Sequence, residues 1–156
     1  MTDTLDFRKF NKTIRIFGVV QLGLIALLVF MAVNFQGKLR MQDREYRFMH
    51  GVIAAFVVEI LLFYPVYKFA EKEAGRDLAF TSRSLSKDEI TALGKKKRFS
   101  DVIKISTFGF FVIFIVAAPA DTFILSIIYY SFVLTILCYL QCYNFVARKL
   151  MKEQSH

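Results

Sequence analysis

Four long apolar blocks separated by charged segments dominate the sequence, and they cover residues 16–35, 48–67, 105–120 and 123–146. An α-helix needs roughly 20 residues to cross the hydrocarbon of a bilayer. The block at 105–120 is short, but Val102 and Ile103 extend it if Lys104 reaches the lipid headgroups with its ammonium. Hydrophobic residues form 56% of the chain, above the roughly half that is usual in soluble domains. The sequence therefore predicts one all-α membrane domain over residues 1–156, a four-helix bundle with transmembrane helices at about 15–35, 48–68, 102–119 and 122–147.

Lysine and arginine are distributed unevenly between the two sides of this predicted bundle. The side with both termini and the connection between the second and third helices, counted from Lys68 to Lys104, carries 17 of them, and the opposite side carries 4. Because cytoplasmic segments carry the excess of positive charge, both termini are predicted to be cytoplasmic, and a bacterial inner (plasma) membrane is the expected location. The net charge of +8 fits an anionic lipid surface. We expect no nucleic-acid partner, because no surface of interleaved basic and aromatic residues is evident.

The connection at 69–101 contains one predicted helix and one basic run. Ser86 and Glu89 have the S-x-x-E spacing of a capping box, and Gly94 can end a helix, so a short helix is predicted at 87–93. The basic run follows directly, and it consists of Lys95, Lys96, Lys97 and Arg98. It either only determines topology or also binds anionic lipids.

One ionisable residue, Glu59, lies near the middle of the second apolar block. A charged carboxylate at that depth costs about 3 kcal/mol or more, so it must be protonated, paired or next to water. Gly51, Ala55 and Glu59 are spaced four residues apart and share one helix face. Small residues at this spacing let another backbone approach closely. Glu59 is therefore predicted to point into a helix–helix interface.

The fourth helix offers a complementary stripe of small and polar residues, Ser131, Thr135, Cys138 and Cys142, with Tyr139 beside it. Thr135, Tyr139 and Gln21 of the first helix are the candidate hydrogen-bond partners of Glu59. The stripe and the Gly51 face are the predicted packing surfaces. Two interpretations of Glu59 stay open, a neutral group that joins helices and a proton or cation site.

Catalytic chemistry is poorly represented in the sequence. It contains none of the short motifs that bind nucleotides, activate a serine or hold zinc, and its two cysteines have neither redox nor zinc spacing. We expect no catalytic residue, no metal and no cofactor; haem would need a second histidine from a partner. Arg44, Arg47 and His50 form a candidate outer site for an anionic headgroup.

Three functional hypotheses follow. The leading one is a non-catalytic subunit or scaffold that acts through helix packing and forms a homo-oligomer or joins a larger membrane complex. The first alternative is a small proton- or cation-linked transporter or channel centred on Glu59. The second alternative is a membrane enzyme that uses the outer site.

Overall fold

The computed structural model describes residues 8–82, 86–118 and 120–154, so parts of the predicted domain (1–7, 83–85, 119, 155 and 156) lie outside the described residues. It contains four helices, α1 (Arg8–Met41), α2 (Tyr46–Ser82), α3 (Lys87–Ala117) and α4 (Thr122–Gln154). Each is long and apolar enough to cross a membrane. The predicted all-α membrane bundle of four spanning helices is confirmed, and the protein is a small integral membrane protein.

The helices are longer than the apolar blocks that predicted them. At a rise of about 1.5 Å per residue, helices of 31 to 37 residues exceed the roughly 30 Å of hydrocarbon. Gly37 lies inside α1 and does not end it, and α2 continues well beyond Tyr67 to Ser82. Much of the predicted connection is therefore helical, and the bundle extends beyond the bilayer.

The start of α3 confirms the capping box, although the predicted length of the helix is wrong. Ser86 Oγ accepts a hydrogen bond from the Glu89 backbone N–H at 3.3 Å, and Glu89 Oε2 accepts from the Ser86 N–H at 3.0 Å. The helix does not stop at 93 but passes through Gly94 to Ala117. An interior glycine costs only about 1 kcal/mol relative to alanine, and the lysines and arginine that follow favour a helix.

The bundle has a basic end and a loop end. The basic end holds Arg8, Ser82, Lys87 and Gln154, and the loop end holds Met41, Tyr46, Ala117 and Thr122. At the loop end, Gln42 Nε2 donates to Thr122 Oγ1 at 3.3 Å, and Asp121 Oδ1 caps α4 by accepting from the Phe123 N–H at 2.8 Å. These contacts hold the α1–α2 and α3–α4 connections together.

The interior lies mainly between α2 and α4, which run in the same direction from the loop end, and α1 packs against α4. One group of buried side chains occupies the basic half, where Ala70 and Ala74 of α2 meet Tyr143 of α4. A second group occupies the loop half, around Ala55 and Tyr130. Small residues on α2 let the two backbones approach each other.

The third helix stands apart from this core. Among the residues of α3, only Ser100 is buried. Its contacts in the membrane are aromatic, with the rings of Phe108 and Phe111 5.7 and 5.1 Å from that of Phe132. A cavity of about 740 Å³ separates α3 from α2 and α4, and its lining is almost entirely apolar.

Candidate functional site between α2 and α4

Glu59 meets one of its three candidate partners. Thr135 Oγ1 lies 3.1 Å from Glu59 Oε2 and 2.7 Å from the carbonyl oxygen of Ser131. A threonine hydroxyl has a single hydrogen, so Thr135 Oγ1 donates to one of these two acceptors at a time, and the contact with Glu59 competes with the bond to Ser131.

The second oxygen of this carboxyl group lacks a partner. Glu59 Oε1 is buried and has no hydrogen-bond partner among the described side chains. No lysine or arginine of the described residues forms an ion pair with Glu59. A buried polar atom without a partner is costly, so this oxygen marks Glu59 as a candidate site.

The other two candidate partners of Glu59 bond elsewhere. Gln21 Nε2 donates to Gln141 Oε1 at 2.9 Å, and Gln21 Oε1 accepts from Asn144 Nδ2 at 3.3 Å. Tyr139 donates its hydroxyl to Glu73 Oε2 at 2.5 Å. Both form polar contacts nearer to the basic end.

The predicted packing residues lie inside the chain's own α2–α4 interface. Gly51 and Ala55 are buried, and a Cβ atom on Gly51 would lie 3.1 Å from Ser126 Oγ. On α4, Ser131 is buried in the loop half, while Cys142 is buried and Cys138 half-buried farther toward the basic end. Both thiols are free, and their sulfur atoms lie 4.0 Å apart. These surfaces hold the monomer together and are not available to a second copy.

The most connected polar group is a buried carboxylate that sequence reasoning missed. Glu73 is only 5% exposed. Its Oε1 accepts from Arg76 Nη2 at 3.2 Å and from Lys104 Nζ of α3, while Oε2 accepts from Tyr139 of α4. Lys104 also lies over the Tyr139 ring at 5.7 Å. One carboxylate therefore joins three helices, and we call these four residues the Glu73 cluster.

Further polar contacts surround the Glu73 cluster. Arg76 Nη1 donates to the backbone carbonyl of Lys96 at 3.0 Å, which adds a second link from α2 to α3. Tyr143 donates its hydroxyl to Asp77 Oδ2 at 2.8 Å. The aromatic ring of Tyr143 packs edge-on against Phe17 of α1, 4.9 Å between centroids. All four helices thus meet at the basic end.

A sequence signal for the Glu73 cluster exists. The spacing that starts with Gly51, Ala55 and Glu59 continues through Val66 to Ala70 and Ala74 in steps of four or seven residues. Such steps keep one helix face turned to α4. The charges at 68–76 hide this continuation, because they suggest that the helix leaves the bundle where the hydrocarbon ends.

The four residues of the basic run are all exposed on α3: Lys95, Lys96, Lys97 and Arg98. None of their side chains forms an ion pair with a described residue. The run therefore extends from the basic end toward the headgroup region, with its charges available.

The candidate outer residues at the loop end do not share a cavity. Arg44 lies 3.8 Å from Asp121 and lines a cavity of about 550 Å³ there, but neither Arg47 nor His50 lines it. His50 Nδ1 contacts the Tyr46 carbonyl at 2.7 Å, one turn earlier. Arg47 lies over the Phe123 ring at 5.8 Å. Arg47 Nε also donates to the Tyr46 hydroxyl at 3.4 Å, and the His50 ring packs edge-on against that of Tyr46, so Arg47 and His50 share a neighbour that Arg44 does not.

Comparison with known proteins adds no relative. The sequence matches no protein-family model, no curated protein and no solved structure. Within the described residues, no group of three or more histidine, cysteine, aspartate or glutamate side chains could hold a metal ion. The proposed function therefore rests on the geometry of the described residues.

Proposed function

We propose that the protein is a non-catalytic subunit or scaffold, in which α1, α2 and α4 form the core and α3 presents a surface to a second copy or another membrane protein. The isolation of α3 is the observation that supports this. Only Ser100 of α3 is buried, and side chains such as Ile113 and Val116 are 66% and 80% exposed. Since Gly51 and Ala55 already pack against α4 inside the monomer, α3 is the better candidate surface for association with a second copy or another protein.

We also propose that the basic end faces the cytoplasm of a bacterial inner membrane, and that Lys95–Arg98 contact anionic lipids there. The excess of positive charge at this end supports the orientation. Each lysine or arginine near an anionic surface contributes about 1 kcal/mol of attraction.

A photo-crosslinking experiment tests the role of α3. In a variant with both native cysteines replaced (Cys138→Ala and Cys142→Ala), a single cysteine at Ile113 carries a benzophenone probe. Val33→Cys on α1 is the matched control, because Val33 is 65% exposed and also lies in the loop half. The proposal expects a discrete protein adduct from position 113 and none from position 33. Equal adducts from both positions, or none from position 113, contradict it.

A second candidate function, proton or cation transfer, is favoured by one observation, the buried and unpartnered Glu59 Oε1. Glu59→Gln replaces the carboxyl group with a neutral amide of the same shape. If Glu59 transfers protons, this variant abolishes pH-driven flux in proteoliposomes, while Glu45→Gln, an exposed loop-end change, does not. Unchanged flux in Glu59→Gln eliminates this function.

The enzyme hypothesis has less support. A headgroup site built from Arg44, Arg47 and His50 needs the three side chains around one cavity, but neither Arg47 nor His50 lines the cavity beside Arg44.

A further inference from the structure

The packing of the core does not explain the cavity between α3 and the α2–α4 pair. Its volume, about 740 Å³, falls within the range of roughly 300–1,000 Å³ typical of ligand pockets. Leu62 and Phe69 line it from α2, Phe108 and Phe111 from α3, and Ile136 from α4. An occupant must therefore be apolar along most of its length.

The few polar groups at the cavity are already bonded or lie at one end. Thr107 Oγ1 donates to the Ile103 carbonyl at 2.9 Å, and Thr135 is bonded to Ser131 and Glu59. Lys104 and Tyr139, both of the Glu73 cluster, line the cavity on the side of the basic end. The middle of the cavity thus offers an occupant no free hydrogen-bond donor, whereas its basic side is charged.

Two lysines extend this charge beyond the mouth of the cavity. Lys97 lies two helical turns before Lys104 on α3, and Lys72 lies two turns after the cavity-lining Pro65 on α2. A spacing of seven residues returns to nearly the same helix face. Lys72 and Lys97 are both exposed, and neither pairs with a described carboxylate. Asp101, 3.8 Å from Lys104, is the nearest opposing charge on that face of α3.

We propose that this cavity binds an acyl chain of an anionic phospholipid, whose phosphate contacts Lys72 and Lys97 at the basic end. The apolar walls match the chain, and the two unpaired lysines match the headgroup. The membrane supplies this lipid at the same depth. The site needs no protein partner and is therefore independent of the proposed scaffold role. It rests on the proposed contact of Lys95–Arg98 with anionic lipids, which it extends to Lys72 and to a lipid chain in the cavity.

Native mass spectrometry of the full chain in a mild detergent tests the site. The protein is titrated with phosphatidylglycerol and, separately, with phosphatidylcholine that has the same chains. The proposal expects one phosphatidylglycerol retained at least tenfold more strongly than phosphatidylcholine. Replacing Lys72 or Lys97 with glutamine lowers this retention roughly fivefold each. Lys38→Gln, which removes an exposed charge at the loop end, leaves it unchanged.

Variants that fill the cavity separate a chain inside it from a lipid held only at the surface. Thr107→Phe places a ring in the cavity and is expected to abolish preferential retention. Val116→Phe adds a ring on an exposed α3 position that does not line the cavity, and it has no effect. Ile136→Phe repeats the test from α4 if Thr107→Phe does not fold, as judged by circular dichroism.

Three results overturn the proposal. If phosphatidylglycerol is still retained preferentially when the cavity is filled, the lipid is bound only by lysines at the surface. Equal retention of the two phospholipids removes the role of charge. If the protein forms a dimer in detergent without bound lipid, the cavity is filled by a second copy of the chain. The first two results leave the crosslink at Ile113 unaffected, whereas the third is expected together with a crosslink between two copies, so the lipid site and the scaffold role can fail separately.

Discussion

Glu73→Gln is expected to destabilise the protein more than any other single charge removal in the bundle. Glu73 is 5% exposed and accepts from Arg76, Lys104 and Tyr139. Removing one partner of a buried ion pair usually costs about 3–5 kcal/mol, because the remaining charge is left uncompensated. Here the Arg76 side chain is 10% exposed and loses its closest carboxylate, whereas Lys104 is 38% exposed and can turn toward water.

The lower end of that range applies, because the glutamine amide still accepts from Tyr139 and Arg76 still donates to the Lys96 carbonyl. We expect a loss of about 3 kcal/mol, which corresponds to a fall in Tm of roughly 6–12 °C for a chain of this length. Glu71→Gln is the matched control. Glu71 pairs with Lys68 at 2.8 Å, but the two side chains are 42% and 46% exposed and water screens the pair, so no measurable change in Tm is expected.

Thermal unfolding in detergent, followed with a thiol-reactive dye, measures both variants. Cys142 is buried and Cys138 is half-buried, so the dye reports the opening of α4. Equal shifts for Glu73→Gln and Glu71→Gln, or a higher Tm for Glu73→Gln, refute the argument that a buried ion cluster holds the three helices together.

Three further predictions use the same assay or a related one. Gly51→Ala lowers stability by about 1–2 kcal/mol, because the new Cβ lies 3.1 Å from Ser126 Oγ, which is itself bonded to the Phe123 carbonyl. The control, Gly109→Ala, is neutral or stabilising, because nothing lies within 4 Å of its new Cβ. Equal effects of the two substitutions on stability contradict the close α2–α4 packing. Ser86→Ala removes the cap of α3 at a cost of about 1 kcal/mol and speeds amide hydrogen exchange at 88–91; unchanged exchange there contradicts it. Tyr143→Phe lowers stability by about 1–2 kcal/mol, since Asp77 loses a hydrogen bond of 2.8 Å, and Tyr64→Phe, at an exposed position, should not.

The fold class was predictable because a bilayer imposes a simple length rule. Blocks of about 20 apolar residues locate the spans whatever the helices pack against. The same rule does not predict where the helices end, since it applies only to the helical residues inside the hydrocarbon. Residues 69–82 were predicted to be part of a charged connection, yet Ala70 and Ala74 are fully buried against α1 and α4.

The candidate site was predictable only where its residues share one face of a single helix. The Gly51, Ala55 and Glu59 face and the Thr135 stripe follow from helical spacing, and the structure brings Glu59 and Thr135 together. Gln21 and Tyr139 lie on suitable faces but bond elsewhere, because depth counted along separate helices does not fix which side chains meet. The Glu73 cluster requires the α2 extension, α3 and α4 at once, and no single-helix pattern contains that information.

Side-specific cysteine labelling tests most directly the arrangement on which this account depends. In the variant without native cysteines, Gln42→Cys at the loop end and Lys97→Cys at the basic end are exposed to a membrane-impermeant maleimide in intact bacterial spheroplasts. The account predicts labelling of position 42 from outside, and labelling of position 97 only after the membrane is permeabilised. Labelling of both positions from the same side would contradict four membrane crossings with the basic end inside.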